Sequence, residues 1–266
     1  MSVKLKPGIY SSYEVYSEKT NAGGRTVAVC AAAGSDDIKN IVTYADAVAA
    51  YGSDCNMTKL IKIILDNGAG SVAAIPVLNA AYDDAFAAAV QANDVEFIVC
   101  DSEDTSVHAE LKEAIANASE DKKYKLGIVQ NGGNAEELIS EAQSLNYERI
   151  VLCGNGVPGG ISGSIAAAAA GVLAAQADPA LPLNGAVLQD IAALSRQFTD
   201  SQIEALLQAG VTPVEFDAGE ALIVRGVTTR TETDGVPDSS FRDISTVLVI
   251  DDVLPAVKAS LKKCFV

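Results

Sequence analysis

The sequence predicts an α/β protein in which a mainly parallel sheet is flanked by helices, with an extended N-terminal arm before it and a small α+β C-terminal portion after it. The first observation is that apolar runs of strand length alternate with stretches of helical periodicity between residues 26 and 153. The second is that these runs are almost continuously apolar, as in strands covered by helices on both faces. The third is composition, because 49% of the residues are hydrophobic but only 5% are aromatic, and small side chains let helices pack closely on a sheet.

The elements of the first half alternate regularly. Residues 26–32 predict the first core strand, and helical periodicity then covers residues 38–52. A second helix over residues 57–66 ends at Asn67 and Gly68, which suit a left-handed C-terminal cap. The elements predicted next are strand 71–78, helix 81–91, strand 96–100, helix 105–118, strand 125–130, helix 134–145 and strand 149–153.

The second half is less regular. Residues 149–176 predict a strand, a glycine-rich turn and an alanine-rich helix, and residues 178–185 form a Pro-containing loop. A change of pattern near residue 212 suggests three units: an arm at 1–22, an α/β domain at 23–211 and a C-terminal α+β portion at 212–266. The remaining predictions are helices 187–195 and 201–209, strands 212–217 and 221–229, a turn region 231–240, strand 244–250 and helix 252–264.

Residues 1–22 are predicted to be extended and not helical. Apolar and polar side chains alternate there, and three of the chain's eight tyrosines lie within a few positions of one another. Such a pattern favours an edge strand or a projecting arm, which needs a partner to cover it. The residues predicted to form this assembly arm are Pro7, Gly8, Ile9, Tyr10, Tyr13 and Val15.

Charge and composition exclude several kinds of partner. Nineteen basic residues against 35 acidic ones give a net charge of −16, which opposes binding to nucleic acid and to anionic membranes. No apolar run reaches the roughly 18 residues of a membrane span, and no signal peptide is recognisable. Five scattered cysteines predict free thiols, which fits synthesis in a reducing cytoplasm. Cys30, Cys100 and Cys153 each end an apolar run and are expected to pack as small hydrophobic side chains.

One motif suggests a bound nucleotide. Gly154, Gly156 and Gly159 have the G-x-G-x-x-G spacing between a strand and a helix, where backbone amides could hold a pyrophosphate. Against this, the motif follows the fifth predicted strand and not the first, Pro158 removes a donor, and the acidic candidate Asp178 lies in a loop. We interpret the segment as a turn into a closely packed helix, and a nucleotide-binding enzyme is the alternative function.

No group of residues predicts catalysis, metal binding or cofactor binding. His108 is the only histidine, and without a Ser or Cys nucleophile motif it is expected at the surface of a polar helix. Glu136, Glu137 and Glu141 are expected to form the solvated face of another helix. The chain also lacks the lysine-containing loop of the P-loop ATPases. The sequence therefore favours a protein that is not an enzyme.

Several stretches, taken in order, resemble the tail sheath proteins of contractile phages and related particles. The N-terminal arm begins with a Pro-Gly-Ile-Tyr run. Residues 41–77 are similar to the family's succession of helix, turn, helix and turn into a strand, with Tyr51-Gly52 and Asn67-Gly68 at the two turns.

The later part of the chain continues this resemblance. The alanine-rich helix and the Pro-containing loop after it are similar to those that follow a central strand in the family. Residues 221–232 and 244–263 resemble its closing pattern of a strand with a central arginine, a loop, a strand ending in aspartate and a helix. Arg225 and Asp251 hold the arginine and aspartate positions.

The resemblance implies a structural protein of the virion tail sheath, made in the host bacterial cytoplasm and needing no cofactor. Homo-oligomeric rings, with six copies as one arrangement, would stack around a tail tube protein and attach to baseplate proteins. Contraction of the rings would drive the tube through a target envelope, without nucleic acid partners or membrane insertion. In the family, terminal arms of neighbouring subunits complete a shared sheet by strand addition. Family members continue past the closing helix, so the resemblance implies a truncated or compact variant.

Overall fold

The computed structural model of the protein describes residues 25–264. The elements in chain order are β1 (Thr26–Ala32), β2 (Lys39–Ile41), α1 (Tyr44–Tyr51), α2 (Asn56–Asp66), β3 (Val72–Val77), α3 (Tyr82–Gln91), β4 (Val95–Cys100), α4 (Thr105–Glu120), β5 (Leu126–Asn131), α5 (Ala135–Leu145), β6 (Ile150–Gly154), α6 (Ser164–Ala175), β7 (Val187–Leu188), α7 (Asp200–Ala209), β8 (Val211–Asp217), β9 (Glu220–Ile223), β10 (Glu232–Thr233), β11 (Val236–Pro237) and α8 (Ile244–Cys264). The predicted arm residues lie outside the described residues: Pro7, Gly8, Ile9, Tyr10, Tyr13 and Val15.

Nine strands form one sheet in the order β2-β3-β1-β4-β5-β6-β8-β9-β7. The six strands from β3 to β8 in this order run parallel, whereas β2 at one edge and β9 and β7 at the other are antiparallel to their neighbours. The predicted mainly parallel sheet is therefore confirmed. Both edge strands are short, with three residues in β2 and two in β7. The proposed boundary near residue 212 falls at the start of β8, which pairs with β6 in this same sheet.

Helices cover both faces of the sheet and create two hydrophobic cores. The side chains of β1 alternate between them, with Val27 and Val29 in the first core and Ala28 and Cys30 in the second. The first core also contains side chains from α1, α2, α6 and the beginning of α8. The second contains side chains from α3, α4, α5 and α7. Strands buried on both faces explain why the apolar runs of the sequence are nearly continuous.

The alanine-rich helix α6 is buried almost all round. All side chains from Ser164 to Ala174 are buried except that of Val172, which is partly buried. A Cβ atom at Gly171 would lie 2.6 Å from the carbonyl oxygen of Ile64 in α2. Glycine and alanine therefore let α6 approach α2 closely, as the interpretation of this segment as a packed helix requires.

Ala168 of α6 provides a test of this packing. Its side chain is fully buried at 0% exposure, so that Ala168→Leu forces extra methylene groups into a filled core. We expect the free energy of unfolding to fall by about 1 to 3 kcal/mol. The matched control is Ala87→Leu at an exposed position of α3, which should change it by less than about 0.5 kcal/mol. Urea unfolding measures both, and equal losses at the two positions would show that the core around α6 has free space.

The first predicted helix, over residues 38–52, is wrong at its beginning. Residues 39–41 form the short strand β2, and α1 starts only after Thr43, whose hydroxyl oxygen accepts the hydrogen bond that caps the helix. Ile41 is buried, whereas Ile38 and Val42 are exposed. Ile41 is buried because β2 extends the sheet by pairing with β3. This strand pairing determines the structure of residues 39–41, although their periodicity is helical.

The predicted helix over residues 187–195 is also wrong. The edge strand β7 opens this segment by pairing with β9, and a loop follows it. The Asn67 side chain accepts a hydrogen bond from the Gln189 backbone amide at 2.9 Å and donates one to its carbonyl oxygen at 3.1 Å. Asp190 then takes a left-handed φ of 65°. Hydrogen bonds to Asn67, which directly follows α2, thus replace those that a local helix would form.

The strand predicted over residues 244–250 is a third error, because these residues are the first turns of α8. Ile244, Val247 and Leu248 are the buried positions, and their spacing of three and four residues matches one face of a helix. The strand predicted over residues 221–229 is shorter, since β9 ends at Ile223. The β-branched composition of 244–250 suggested a strand, but docking on the core follows the helical period.

Candidate functional site

The glycine-rich turn between β6 and α6 is the first candidate, and its glycines serve close packing. A Cβ at Gly154 would lie 2.9 Å from a methyl carbon of Val211. Gly163, directly before α6, has a φ of 84°, and a Cβ there would lie only 2.2 Å from the Cys100 carbonyl oxygen. Gly159 also has a positive φ, but nothing lies within 4 Å of its Cβ position. The turn is therefore held against the end of β4.

The polar groups around this turn bind one another. The Ile165 amide at the beginning of α6 donates to the Gln130 side-chain oxygen at 2.6 Å, and the Gln130 amide donates to Glu103 at 2.7 Å. The Gly156 amide donates to the Asn155 side-chain oxygen at 3.0 Å. Donors that could have held a pyrophosphate are thus used internally, and a carboxylate lies behind them. The geometry gives the nucleotide-binding alternative no support.

The crevice at the carboxyl ends of β1 and β4 is the second candidate. The chain moves from β1 to β3 on one side and then to β4 on the other, and open α/β sheets bind ligands at such a reversal. Here Asp101 fills it, with 8% exposure. Its carboxylate accepts hydrogen bonds from the Ala32 amide at 3.0 Å, the Asn56 side chain at 2.8 Å and the Tyr82 hydroxyl at 2.7 Å. Burial and this carboxylate together raise the pKa of Tyr82, so the phenol stays protonated.

A buried ion pair lies beside this crevice. His108 is fully buried; its Nδ1 lies 2.5 Å from a carboxylate oxygen of Glu141, and its Nε2 lies 2.9 Å from the Ser102 carbonyl oxygen. The Ser102 carbonyl oxygen and an ionised Glu141 carboxylate can only accept, so beside them both ring nitrogens carry a hydrogen and the imidazole is charged. Burial alone would lower its pKa, but the neighbouring Cys100 and the Glu141 carboxylate raise it to about 10. The second oxygen of Glu141 accepts a hydrogen bond from the Asn131 side chain at 2.5 Å.

The predictions of a surface histidine and of a solvated Glu141 are therefore wrong. The helical period contained the missing signal, because His108 shares a face of α4 with the buried Leu111 and Ile115. Glu141 likewise follows Leu138 by three positions on the buried face of α5. Two polar residues at core positions of neighbouring helices need each other, since a single buried charge would be very costly. The pair joins α4 to α5 and is a structural contact.

Three cysteines lie in strands of the sheet, near the strand ends that face this region. Cys30, Cys100 and Cys153 are buried, as predicted. Burial raises the pKa of Cys153 to about 12, which keeps its thiol protonated and unreactive. Over residues 25–264, no three His, Cys, Asp or Glu side chains are arranged to hold a metal ion.

The first four family-motif positions lie at the turns around α1 and α2. The Tyr51 side chain is buried and its hydroxyl donates to the Asp37 carbonyl oxygen at 2.6 Å. Gly52 ends α1 with a φ of 85°. Asn67 and Gly68 end α2, the glycine with a φ of 101°, which agrees with the expected C-terminal cap. These residues shape the path of the chain from α1 through α2 into β3.

The other two family-motif positions form ion pairs. Arg225 follows β9 and contacts Asp243 at 2.8 Å, with both side chains nearly half exposed. Asp251 lies inside α8, not at the end of a strand as expected, and its two oxygens accept hydrogen bonds from Arg149 at 2.6 and 2.7 Å. The guanidinium of Arg149 also lies 4.6 Å from the ring centroid of Tyr124. This bidentate pair fastens α8 to the amino end of β6.

Beyond Asp251, none of the described side chains of α8 belongs to either core. The side chains from Asp252 to Lys258 are exposed, and those of Ser260 and Leu261 are exposed as well. Large apolar side chains that solvent reaches on this part of α8 are Val253, Leu254, Val257 and Leu261. None of the helices in the described range is long and apolar enough to cross a membrane.

Comparison with known proteins identifies the family to which the chain belongs. A search of curated proteins found no significant match. The family model of the phage tail sheath protein central domain, however, matches residues 76–229, which is more than half of the chain. The chain belongs to the phage tail sheath protein family. Sheath proteins are structural, which is consistent with a crevice filled by the protein's own side chains.

Solved structures of sheath proteins share this fold. The chain is similar to the sheath tail protein of Desulfitobacterium hafniense, with a TM-score of 0.73 and 15% identity, covering 96% of this chain and 83% of that one. It is also similar to the sheath tail protein of Listeria innocua, with a TM-score of 0.70 and 15% identity over 88% and 76% of the two chains. The contracted helical sheath of the anti-feeding prophage gives a TM-score of 0.66 and 15% identity over 98% and 77%. This sheath protein is therefore a structural subunit of a contractile tail sheath.

Proposed function

We propose that this sheath protein assembles with further copies of itself into stacked rings around a tail tube, and that contraction of the rings drives the tube through a target envelope. The family match over residues 76–229 carries the proposal. Similar structures include a baseplate and a contracted helical sheath of the anti-feeding prophage, which supports copies of the chain and baseplate proteins as partners. The tail tube protein as the inner partner and six copies per ring are part of the proposal.

We further propose that the protein has no catalytic activity and needs no cofactor. Asp101 at the crevice and Gln130 at the glycine-rich turn form their hydrogen bonds with other groups of the protein. The net charge of −16 supports partners other than nucleic acid. The subunit would be made in the host bacterial cytoplasm and function in the virion tail sheath.

The same proposal assigns a role to each of the three parts of the chain. Residues 1–22 act as an assembly arm, residues 23–211 form the α/β body, and residues 212–266 form a C-terminal portion. The C-terminal portion is attached to the body through β8, which pairs with β6, and through the ion pair of Asp251 with Arg149. The role of the arm and the role of the body can therefore be tested in separate experiments.

Electron microscopy of the purified chain tests the function directly. We expect sleeves or ring stacks at high protein concentration, and longer sleeves when the tail tube protein of the same particle is added. A tube protein from an unrelated particle is the control for non-specific coating. A chain that stays monomeric at every salt and protein concentration, even with its tube protein, would contradict the proposal.

Deletion of residues 1–16 tests the arm. We expect the truncated chain to keep its circular dichroism spectrum and cooperative unfolding, because residues 25–264 already supply two extensive hydrophobic cores. Assembly should be lost. A full-length variant with Tyr10→Ser, Tyr13→Ser and Val15→Ser should lose it too, whereas the matched control with Ser11→Ala and Ser12→Ala should assemble. Loss of cooperative unfolding on deletion would show that the arm belongs to the core of the subunit.

A further inference from the structure

The edge strand β2 is the feature that carries a further inference. It pairs with β3 on one side, and within residues 25–264 no strand pairs with its other side. Ile38 and Val42 flank it at 62% and 52% exposure. With Asn40 they share the face opposite the buried Ile41, because side chains alternate along a strand. Free backbone groups between two exposed apolar side chains make this edge suited to strand addition.

We propose that in the single subunit residues 9–16 of the same chain pair with the outer side of β2 as a further strand of the sheet. The proposal concerns the unassembled protein and does not depend on ring formation. In this arrangement the arm is bound to its own subunit until a neighbouring copy is available.

The topology permits this contact within one chain. β1 begins after Arg25 and is the third strand from the edge, so the vacant position beyond β2 lies three strand spacings away, about 14 Å. Residues 17–24 can span up to about 26 Å when extended. β2 is antiparallel to β3 and therefore also to β1. An arm strand parallel to β2 thus ends on the side of the sheet where β1 begins.

The side-chain pattern of the segment also fits the edge. In an extended strand Ile9, Tyr13 and Val15 point to one face, and Tyr10, Glu14 and Tyr16 point to the other. If the apolar set lies beside Ile38 and Val42, cross-strand contacts cover both of these exposed side chains. Glu14 then falls on the same face as Lys39, which already contacts Asp37 at 3.3 Å, and adds a second carboxylate beside this ammonium group.

The size of the edge favours the chain's own arm over a second copy. β2 offers three residues and its flanks two apolar side chains, far less than the about 800 Å² per partner of a stable interface between two proteins. A tethered segment needs less contact area, since a short linker gives an effective concentration in the millimolar range. The resulting contact is weak enough to open when the arm is needed elsewhere.

Amide hydrogen exchange of β2 is the measurement. In the full chain we expect those amides of residues 38–42 whose N–H groups point away from β3 to exchange at least about tenfold more slowly than in the chain lacking residues 1–16. The ratio should be the same over about a hundredfold range of protein concentration, because a tethered contact is unimolecular. The amides of β1 should exchange equally slowly in both chains, which shows that the deletion leaves the sheet intact.

Two substitutions complete the test. Val42→Asp at the edge should speed exchange of β2 in the full chain as much as deletion of residues 1–16 does. The control Leu254→Asp, at an exposed apolar position of α8, should leave it unchanged. Equal exchange with and without the arm, or slow exchange that appears only at high concentration, would overturn the proposal. A chain that forms no sleeves would contradict the proposed function without changing this result, so the two failures can be distinguished.

Discussion

Replacement of Gly163 by alanine is expected to lower the free energy of unfolding by about 3 kcal/mol or more. The residue has a φ of 84°, which costs an L-amino acid with a side chain about 1 to 2 kcal/mol. A Cβ would also lie 2.2 Å from the Cys100 carbonyl oxygen, a backbone atom that cannot turn aside. The turn into α6 would have to separate from the end of β4, and α6, which packs on the sheet beside α2, would move with it.

Gly159 in the same turn provides the matched control. It also has a positive φ, of 65°, but nothing lies within 4 Å of its Cβ position. Gly159→Ala should therefore cost only about 1 kcal/mol, the share that is due to backbone conformation. Urea unfolding of both variants measures the difference. If Gly163→Ala lowers the free energy of unfolding no more than Gly159→Ala does, the close approach to Cys100 makes no contribution to it.

Alkaline pH is expected to destabilise the protein through His108. The pKa of this histidine rises from 6.5 to about 10 on folding, so its stabilising effect is complete below pH 6.5 and is lost as pH rises towards 10. One pKa unit corresponds to about 1.4 kcal/mol, and the full loss is therefore about 3 to 5 kcal/mol. Urea unfolding at about pH 6 and about pH 9 covers most of this change.

The Glu141→Gln variant separates this effect from other titrations. It removes the carboxylate that, together with Cys100, raises the pKa of His108, so the loss between the two pH values should become clearly smaller, and the variant should be less stable than the parent near pH 6. Glu136→Gln, at an exposed position of the same helix, is the matched control and should keep the pH dependence of the parent. Identical profiles for the parent and Glu141→Gln would show that the buried pair does not carry the effect.

The sequence was sufficient for the parts of the fold in which local pattern and tertiary role agree. The parallel strands are buried on both faces, and their apolar runs predict them well. It was insufficient where tertiary contacts decide. Residues 39–41 complete a sheet edge, Gln189 is held by Asn67 of a distant helix, and the β-branched run at 244–250 docks as a helix. These contacts join residues far apart in the chain, and no local window contains them.

The candidate site illustrates the same limit. The glycine spacing from Gly154 predicts a ligand turn or a packed turn, and tertiary contacts such as the hydrogen bond between Gln130 and Ile165 distinguish the two. His108 and Glu141 are 33 positions apart, so each reads as a surface residue until its partner is known. Their positions on the apolar faces of α4 and α5 were nonetheless visible in the helical period. A polar residue on the apolar face of a predicted helix should therefore be tested for a buried partner on another helix before it is assigned to the surface.

The contact between α6 and α2 has a mechanical consequence. At Gly171 the main chain of α6 lies against the carbonyl oxygen of Ile64, so no flexible side chain separates the two helices. Interiors packed at this distance have low compressibility and transmit strain. A force applied to one helix therefore reaches the other, and the sheet beneath them, without being absorbed by sliding. The compliance that a contracting array needs then lies in the connections between subunits and not inside each subunit.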